Sequence, residues 1–269
     1  MKTTYLKAPF LFEQRDIPVP EIGDEDVLLK VVACGFCGSE MTLLRYAAEE
    51  WTPFGHEISG IVEKVGQHVK NIKVGDKVVV ESSIFNPYSD AARNGHPELN
   101  GLGHDDLINY IGTREAMGFS EYTTAPEALC VKFEDLDFQE AALIEPLGVA
   151  MDLFKTADVR LNDDVLIYGA GTIGLMAAQL CIAAGANVYV ANRSKSKRKA
   201  ELALQFGAKD VIFTDKQDIL EYPFPKGGVD RILVTAPPAV IPDAANLMNL
   251  GGILAFIGIS YGDAAMITL

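Results

Sequence analysis

A thiol at Cys37, an imidazole at His56 and carboxylates at Glu57 and Glu145 are the residue types that can hold a metal ion with one position left open. A thiolate and an imidazole nitrogen are strong zinc donors, and a mixed shell leaves room for a water or a substrate oxygen. Cys37 lies in Gly35-Phe36-Cys37-Gly38-Ser39-Glu40, directly after an apolar run, and the glycines let backbone crowd close to an ion. His56-Glu57 follows Gly55, and Glu145 precedes Pro146. Far downstream, Gly169-Ala170-Gly171-Thr172-Ile173-Gly174 has the spacing of a turn that cradles a dinucleotide pyrophosphate. A Lewis acid ahead of such a turn points to metal-assisted hydride transfer between an alcohol or ketone and a nicotinamide cofactor. Ser39, two residues past Cys37, is placed to relay the hydroxyl proton outward. Glu57 and Glu145 are each candidates for zinc ligand and for catalytic proton handling. Taken singly these signals are weak, since a lone cysteine after a strand is more often a small buried residue. Their order along the chain is far more specific.

Two stretches of different character must position these groups. Residues 1 to about 150 read as short strands broken by glycine and proline turns: Val27 to Ala33, Ile58 to Val65 and Lys77 to Glu81. Ser82 to Met117, rich in Asn, Gly, Pro, Asp and His, reads as a long loop or lobe serving a site or an interface. From Asp163 strands and helices alternate. Strands are expected at Asp164 to Tyr168, Asn187 to Ala191, Asp210 to Phe213, Val229 to Thr235 and Gly252 to Ile257. Helices are expected at Ile173 to Ala184, Lys195 to Phe206 and Ala239 to Leu250, with Leu147 to Phe154 a further candidate. Such alternation predicts a parallel doubly wound sheet, so the fold class is α/β, with domains at 1–150 and 151–269. Five strands are legible where a two-half dinucleotide sheet has six, and Met266 to Leu269 reads as the approach to a further element.

Composition narrows the partners. With 269 residues, 49% apolar and 22% charged, the chain can bury a substantial core. A net charge of −14 and pI ≈ 4.7 argue against nucleic acid or an anionic membrane as partner. The four cysteines, Cys34, Cys37, Cys130 and Cys181, are too sparse for a disulfide scaffold, and with no signal peptide or bilayer-length apolar run the expected location is the cytoplasm. Cys34 and Cys37 form a Cys-x-x-Cys spacing, but Cys34 ends the apolar run Val31-Val32-Ala33 and a structural role is expected for it. His68, His96 and His104 are read as solvent or loop residues.

Cys37-Gly38-Ser39, Gly55-His56-Glu57, Val74-Gly75-Asp76-Lys77-Val78 and the Gly169 to Gly174 turn together resemble the zinc-dependent branch of the medium-chain dehydrogenase/reductase family. The resemblance implies an N-terminal β-rich, barrel-like (GroES-like) catalytic domain followed by a Rossmann domain. It also implies a homo-oligomer, and a C-terminal segment returning to the first domain that is expected to be missing here. Many relatives carry four clustered cysteines for a structural zinc; the Ser82 to Met117 stretch holds none, so one zinc is expected. The usual Asp after Cys-Gly-Ser is Glu40, and the relay histidine is replaced by Thr42. Glu145-Pro146 resembles the polyol and sugar dehydrogenases, which favours a polyol or sugar substrate over a simple alcohol.

The candidate cofactor contacts are Gly169, Gly171, Thr172, Ile173, Gly174, Asn192, Arg193, Ser194, Lys197, Thr235 and Gly258. A carboxylate about 20 residues past the glycine turn normally takes the adenosine ribose, whereas an arginine there accommodates a 2′-phosphate. Here the strand ends in Asn192-Arg193-Ser194-Lys195, with no carboxylate expected beside the phosphate, so NADP is expected ahead of NAD. A zinc-free reductase of the same superfamily and a non-catalytic cofactor-binding protein stay open as rival readings.

Overall fold

A computed structural model describes residues 1–82, 89–96 and 116–258. Two compact units emerge, Met1–Glu145 and Pro146–Leu269.

The first unit is built on antiparallel strands. β3 (Asp26–Cys34) is flanked by β5 (Ile58–Val65) and β7 (Tyr122–Pro126), and β6 (Lys77–Val80) and β8 (Cys130–Lys132) extend the sheet to the order β7-β3-β5-β6-β8. Val27, Leu29, Ile58, Val62, Val78, Val80 and Ala125 pack into its core, most of them alternate positions on their strands, as a sheet with one buried face requires. A second sheet, β2-β1-β4, joins β1 (Lys2–Lys7), β2 (Leu11–Asp16) and β4 (Thr52–Pro53). The β1–β2 hairpin is an element the sequence reading did not anticipate. Its turn holds a cis Ala8–Pro9 bond and Phe10 at φ 57, not the glycine or asparagine that usually marks such turns. Beneath it Phe54 stacks on Phe119 with ring centroids 4.4 Å apart. Phe119 N–H also donates to Phe54 O at 3.1 Å, and Gly118 N–H to Gly55 O at 2.9 Å. These contacts fix the segment that leads into His56.

In the second unit five parallel strands lie in the order β11-β10-β9-β12-β13: β9 (Asp164–Tyr168), β10 (Asn187–Asn192), β11 (Asp210–Phe213), β12 (Val229–Val234) and β13 (Met248–Phe256). All five residues of β9 are buried, which suits the central strand of a sheet covered on both faces. Helices Thr172–Ala183 and Lys197–Gln205 follow β9 and β10, and Ile144–Thr156 precedes them. The α/β class and doubly wound topology agree with the alternation of the sequence.

One expected helix is corrected. Ala239 to Leu250 is a 3-10 turn at Pro238–Val240, a short helix at Ile241–Ala245 and then the start of β13. Pro242 sits in the first turn of that helix, where proline is tolerated, and the helix ends early because Met248 pairs with Val229 instead of extending it. The helix expected from Lys195 begins at Lys197, because Arg193 to Ser196 form a turn closed by Ser196 N–H to Arg193 O. Most of Ser82 to Met117, including His104, lies outside the described residues, as does Met266 to Leu269.

Candidate metal centre and dinucleotide site

The register of β3 on β5 assembles the metal candidates. Cys34 pairs with Ile58, so the loop leaving β3 runs beside the loop entering β5. Gly35 N–H donates to Glu57 O at 2.9 Å, clamping the two loops together. A Cβ at Gly35 would overlap the Glu57 carboxylate, which explains glycine at that position. The outcome is a cluster in which one donor atom each from Cys37, His56 and Glu57 lies within 4.8 Å of the others. Thiolate, imidazole and carboxylate in that proximity suit a zinc ion with an open coordination position.

Glu40 supports this cluster. The residue is 1% exposed; Oε2 accepts from Cys37 N–H at 2.8 Å, and Oε1 lies 3.3 Å from His56 Nδ1. That contact is an ion pair without hydrogen-bond alignment, so Oε1 is a buried oxygen with no hydrogen-bond partner. A carboxylate on Nδ1 leaves Nε2 to a metal and fixes the ring. Burial alone would lower the His56 pKa, but the neighbouring Cys37 and Glu40 groups outweigh it and push it up to about 10. Burial, reinforced by the Glu145 and Glu40 charges, holds Glu57 above the usual carboxylate range, partly offset by His56.

Glu145 stands apart from the three. It accepts a short hydrogen bond from Ser82 Oγ, and burial raises its pKa while Ser82 and His56 pull it down. It therefore feels the His56 charge without belonging to the close cluster. Ser39 is half-buried one residue before Glu40, on the Gly38–Thr42 turn of helix. Thr42 is half-buried and its hydroxyl donates back to Gly38 O at 3.5 Å. Cys34 packs between Gly55 and Gly118, and burial keeps it a protonated thiol, the structural part expected of it.

In the second unit Gly169 takes φ +102, and a Cβ on Gly174 would overlap the Gly169 carbonyl, so the turn closes only with glycine at both places. Gly171 differs: a Cβ there would meet no heavy atom within 4 Å. Open space above the N-terminus of the Thr172–Ala183 helix, where the Thr172 and Ile173 amides begin, is what a pyrophosphate needs. Thr235 Oγ1 lies 3.0 Å from Tyr168 O and 3.1 Å from Gly169 O, so its hydroxyl braces the turn from below. Gly258, φ +135, follows the end of β13 with open space around it.

Beyond the ends of β9 and β11 lies an open cavity of about 580 Å³, bordered by Tyr168, Thr214, Asp215, Asp218, Val240 and Asp243. The Tyr168 hydroxyl is buried without a hydrogen-bond partner, and burial followed by the Asp243 and Asp218 charges pushes its pKa up to about 12. It is a neutral donor facing that cavity, unforeseen because nothing in the sequence distinguishes it from a core tyrosine. Arg193 and Lys197 are exposed, and among the described residues Arg193 has no ion-pair or hydrogen-bond partner for its side chain. The expectation of no neighbouring carboxylate is corrected: Asp215 accepts from Ser194 N–H at 2.7 Å and Ser194 Oγ at 2.6 Å. Asn192 is half-buried, its amide 3.5 Å from Ser196 O.

Comparison with known proteins matches two successive stretches of the chain. Residues 23–135 match the alcohol dehydrogenase GroES-like domain, and residues 172–269 match the zinc-binding dehydrogenase domain. The L-threonine 3-dehydrogenase of Aeromonas salmonicida is 32% identical over 269 residues, spanning 94% of this chain and 75% of that protein. The chain belongs to the zinc-dependent medium-chain dehydrogenase/reductase family. The L-galactonate-5-dehydrogenase of Escherichia coli K12 is 29% identical over 262 residues, 94% of this chain and 74% of its own length. A protein described as a zinc-binding dehydrogenase from Sinorhizobium meliloti, solved bound to NADP, superposes with a TM-score of 0.86 at 28% identity over 99% of this chain and 79% of that one. A protein described as a short chain alcohol dehydrogenase from E. coli CFT073, solved with NADH, gives 0.88 at 26% identity over 100% and 79%. This family member is accordingly an NAD(P)-dependent dehydrogenase with a GroES-like domain followed by a Rossmann-type domain. Among the described residues no helix is long and apolar enough to cross a membrane.

Proposed function

We propose that this dehydrogenase oxidises a secondary hydroxyl of a polyol or sugar-type substrate, with one zinc per chain held by Cys37, His56 and Glu57 and with NADP preferred over NAD. The observation that carries the reading is the approach of those three donors to within 4.8 Å, backed by the Glu40 contact to Nδ1. Bound there, zinc would polarise the substrate hydroxyl and lower its pKa by several units. The remaining work falls to the protein. Glu40 holds the His56 ring in one tautomer, and Glu145, raised by burial and tied to Ser82, is a proton carrier or a fourth ligand beside the cluster. Ser39 passes the substrate proton outward. Residues 1–150 thus carry the metal and substrate chemistry, and residues 151–269 the dinucleotide on the Gly169 to Gly174 turn.

A site with three glutamates near one thiol is hydrophilic and suits polyhydroxylated ligands better than ethanol. The likeness to an enzyme named for L-galactonate supports the same substrate class. For the cofactor, Arg193 offers an unpaired guanidinium, and Lys197, Arg198 and Lys199 crowd the first turn of the Lys197–Gln205 helix. Cations at the positive end of a helix repel its dipole, and a 2′-phosphate beside them relieves that repulsion. The NADP-bound relative supports this choice and the NADH-bound one keeps NAD as the second cofactor.

Elemental analysis should find one zinc per chain, and dialysis against a chelator should abolish hydride transfer in a panel of polyols, aldoses and ethanol. Two zinc ions, or activity untouched by chelation, would reject the metal assignment. A higher kcat/KM for ethanol than for every polyol would reject the substrate class.

A further inference from the structure

We infer that Asp215 is a positioning residue for cofactor selectivity: through its two hydrogen bonds to Ser194 it sets the turn that presents Arg193 to the adenosine 2′-position. The inference rests on the NADP reading above. The placement follows from the sheet. β10 and β11 are parallel neighbours with Asn192 opposite Phe213, and Thr214 N–H donates to Asn192 O at 3.1 Å. The chain leaving β11 therefore runs alongside Asn192-Arg193-Ser194, and Asp215 meets Ser194. One carboxylate oxygen accepts the Ser194 amide at 2.7 Å and the other its hydroxyl at 2.6 Å. With Ser196 N–H closing on Arg193 O at 3.1 Å, the backbone on both sides of Arg193 is tied. The Arg193 side chain is not tied: among the described residues it has no ion-pair partner, and Asp215 itself makes no ion pair with it. A carboxylate so near an unpaired guanidinium would ordinarily either neutralise it or repel a phosphate. Here both oxygens are turned to Ser194, so the charge is used to shape the turn and the cation stays free for a ligand.

The same carboxylate borders the 580 Å³ cavity together with Tyr168, so the turn and the nucleoside-sized space share a wall. Locking a loop in its binding geometry before the ligand arrives raises affinity by removing the ordering cost. The effect should be confined to ligands that reach Arg193. Adenosine 2′,5′-bisphosphate carries the 2′-phosphate, and 5′-AMP lacks it.

Calorimetric titration of the whole chain with these two nucleotides tests the idea without any hydride transfer. Wild-type protein should bind the bisphosphate more tightly than 5′-AMP. Asp215→Ala and Ser194→Ala should each reduce that preference roughly tenfold, and Ser194→Thr, which keeps both donors, should retain it. If the wild type prefers the bisphosphate and both alanine variants keep the preference, the positioning role is wrong and the NADP reading survives. If Asp215→Ala tightens the bisphosphate, Asp215 repels the phosphate and the inference fails. Equal losses for both nucleotides would mark a general structural role and also reject it. A wild type indifferent to the 2′-phosphate would overturn the cofactor reading and this inference together.

Discussion

Glu40 donates no atom to the three-residue cluster, yet it governs how the cluster behaves. Its buried carboxylate faces His56 Nδ1 and accepts the Cys37 amide, so it orients two of the three donors at once. Without a metal this arrangement stabilises a proton on His56, whose pKa is pushed up to about 10 against the lowering effect of burial. A metal needs the neutral imidazole. Below pH 10 zinc must therefore expel that proton, and affinity should fall as pH falls, by about tenfold per pH unit for each proton displaced. Calorimetry at pH 7 in buffers of different ionisation enthalpy should register the release. Glu40→Gln should weaken zinc binding by about 10- to 100-fold, as loss of a supporting carboxylate does elsewhere, and should shrink the proton release. Unchanged affinity in competition with a chromophoric chelator would refute the role given to Glu40.

At the scale of elements, the glycine turn separates two requirements that a motif runs together. Gly174 is needed for closure, since a Cβ would overlap the Gly169 carbonyl, whereas Gly171 has open space around it. Gly174→Ala should lower thermal stability by about 1–3 kcal/mol with or without nucleotide. Gly171→Ala should melt like the wild type and bind adenosine diphosphate fragments more weakly, because only the ligand needs that space. Equal melting temperatures for the two variants would contradict this division. The turn itself was legible in the sequence, as were β5 at Ile58–Val65, β9 at Asp164–Tyr168 and β11 at Asp210–Phe213, whose apolar runs are bounded by glycine, charge or turn residues. The pairing of Cys37 with His56-Glu57 was legible too, because both follow from residue types near strand ends. Asp215 was not: its bond to Ser194 spans 21 residues and exists only because β10 and β11 are neighbours. The β1–β2 hairpin is not evident from the sequence because its turn lacks the glycine or asparagine of the common hairpin turns, and the apolar spacing after Ala239 suits a longer helix than the one that ends at Ala245.

Over the whole molecule the charge is −14, yet five of the seven residues from Arg193 to Lys199 are basic. An anionic nucleotide approaching this protein meets a net repulsive charge and, at Arg193 to Lys199, a locally attractive run, so electrostatics selects where it lands as well as how tightly. Raising salt from about 0.1 M to about 1 M shortens the Debye length from about 10 Å to about 3 Å. Binding of adenosine 2′,5′-bisphosphate should weaken over that range more steeply than binding of 5′-AMP, measured by titration at each salt. Parallel salt dependences would mean that the basic run only solvates a helix.

The ladder between β3 and β5 has irregular steps at Leu28/Leu29 and Val31/Ala33, each leaving one residue of one strand unpaired. A slip by one residue inverts the faces of a strand and would carry Gly35 away from Glu57. Only the native alignment offers thiol, imidazole and carboxylate to a single point, so the ion acts as a proofreader of strand pairing. At a hundredfold excess over its Kd an ion that binds only the native form adds about 2.7 kcal/mol to it. Stripping the metal should then be felt at the far end of the ladder. Amides of Leu28 and Lys64, a full strand length from the cluster, should exchange their hydrogens faster in chelated protein than in the zinc-loaded form.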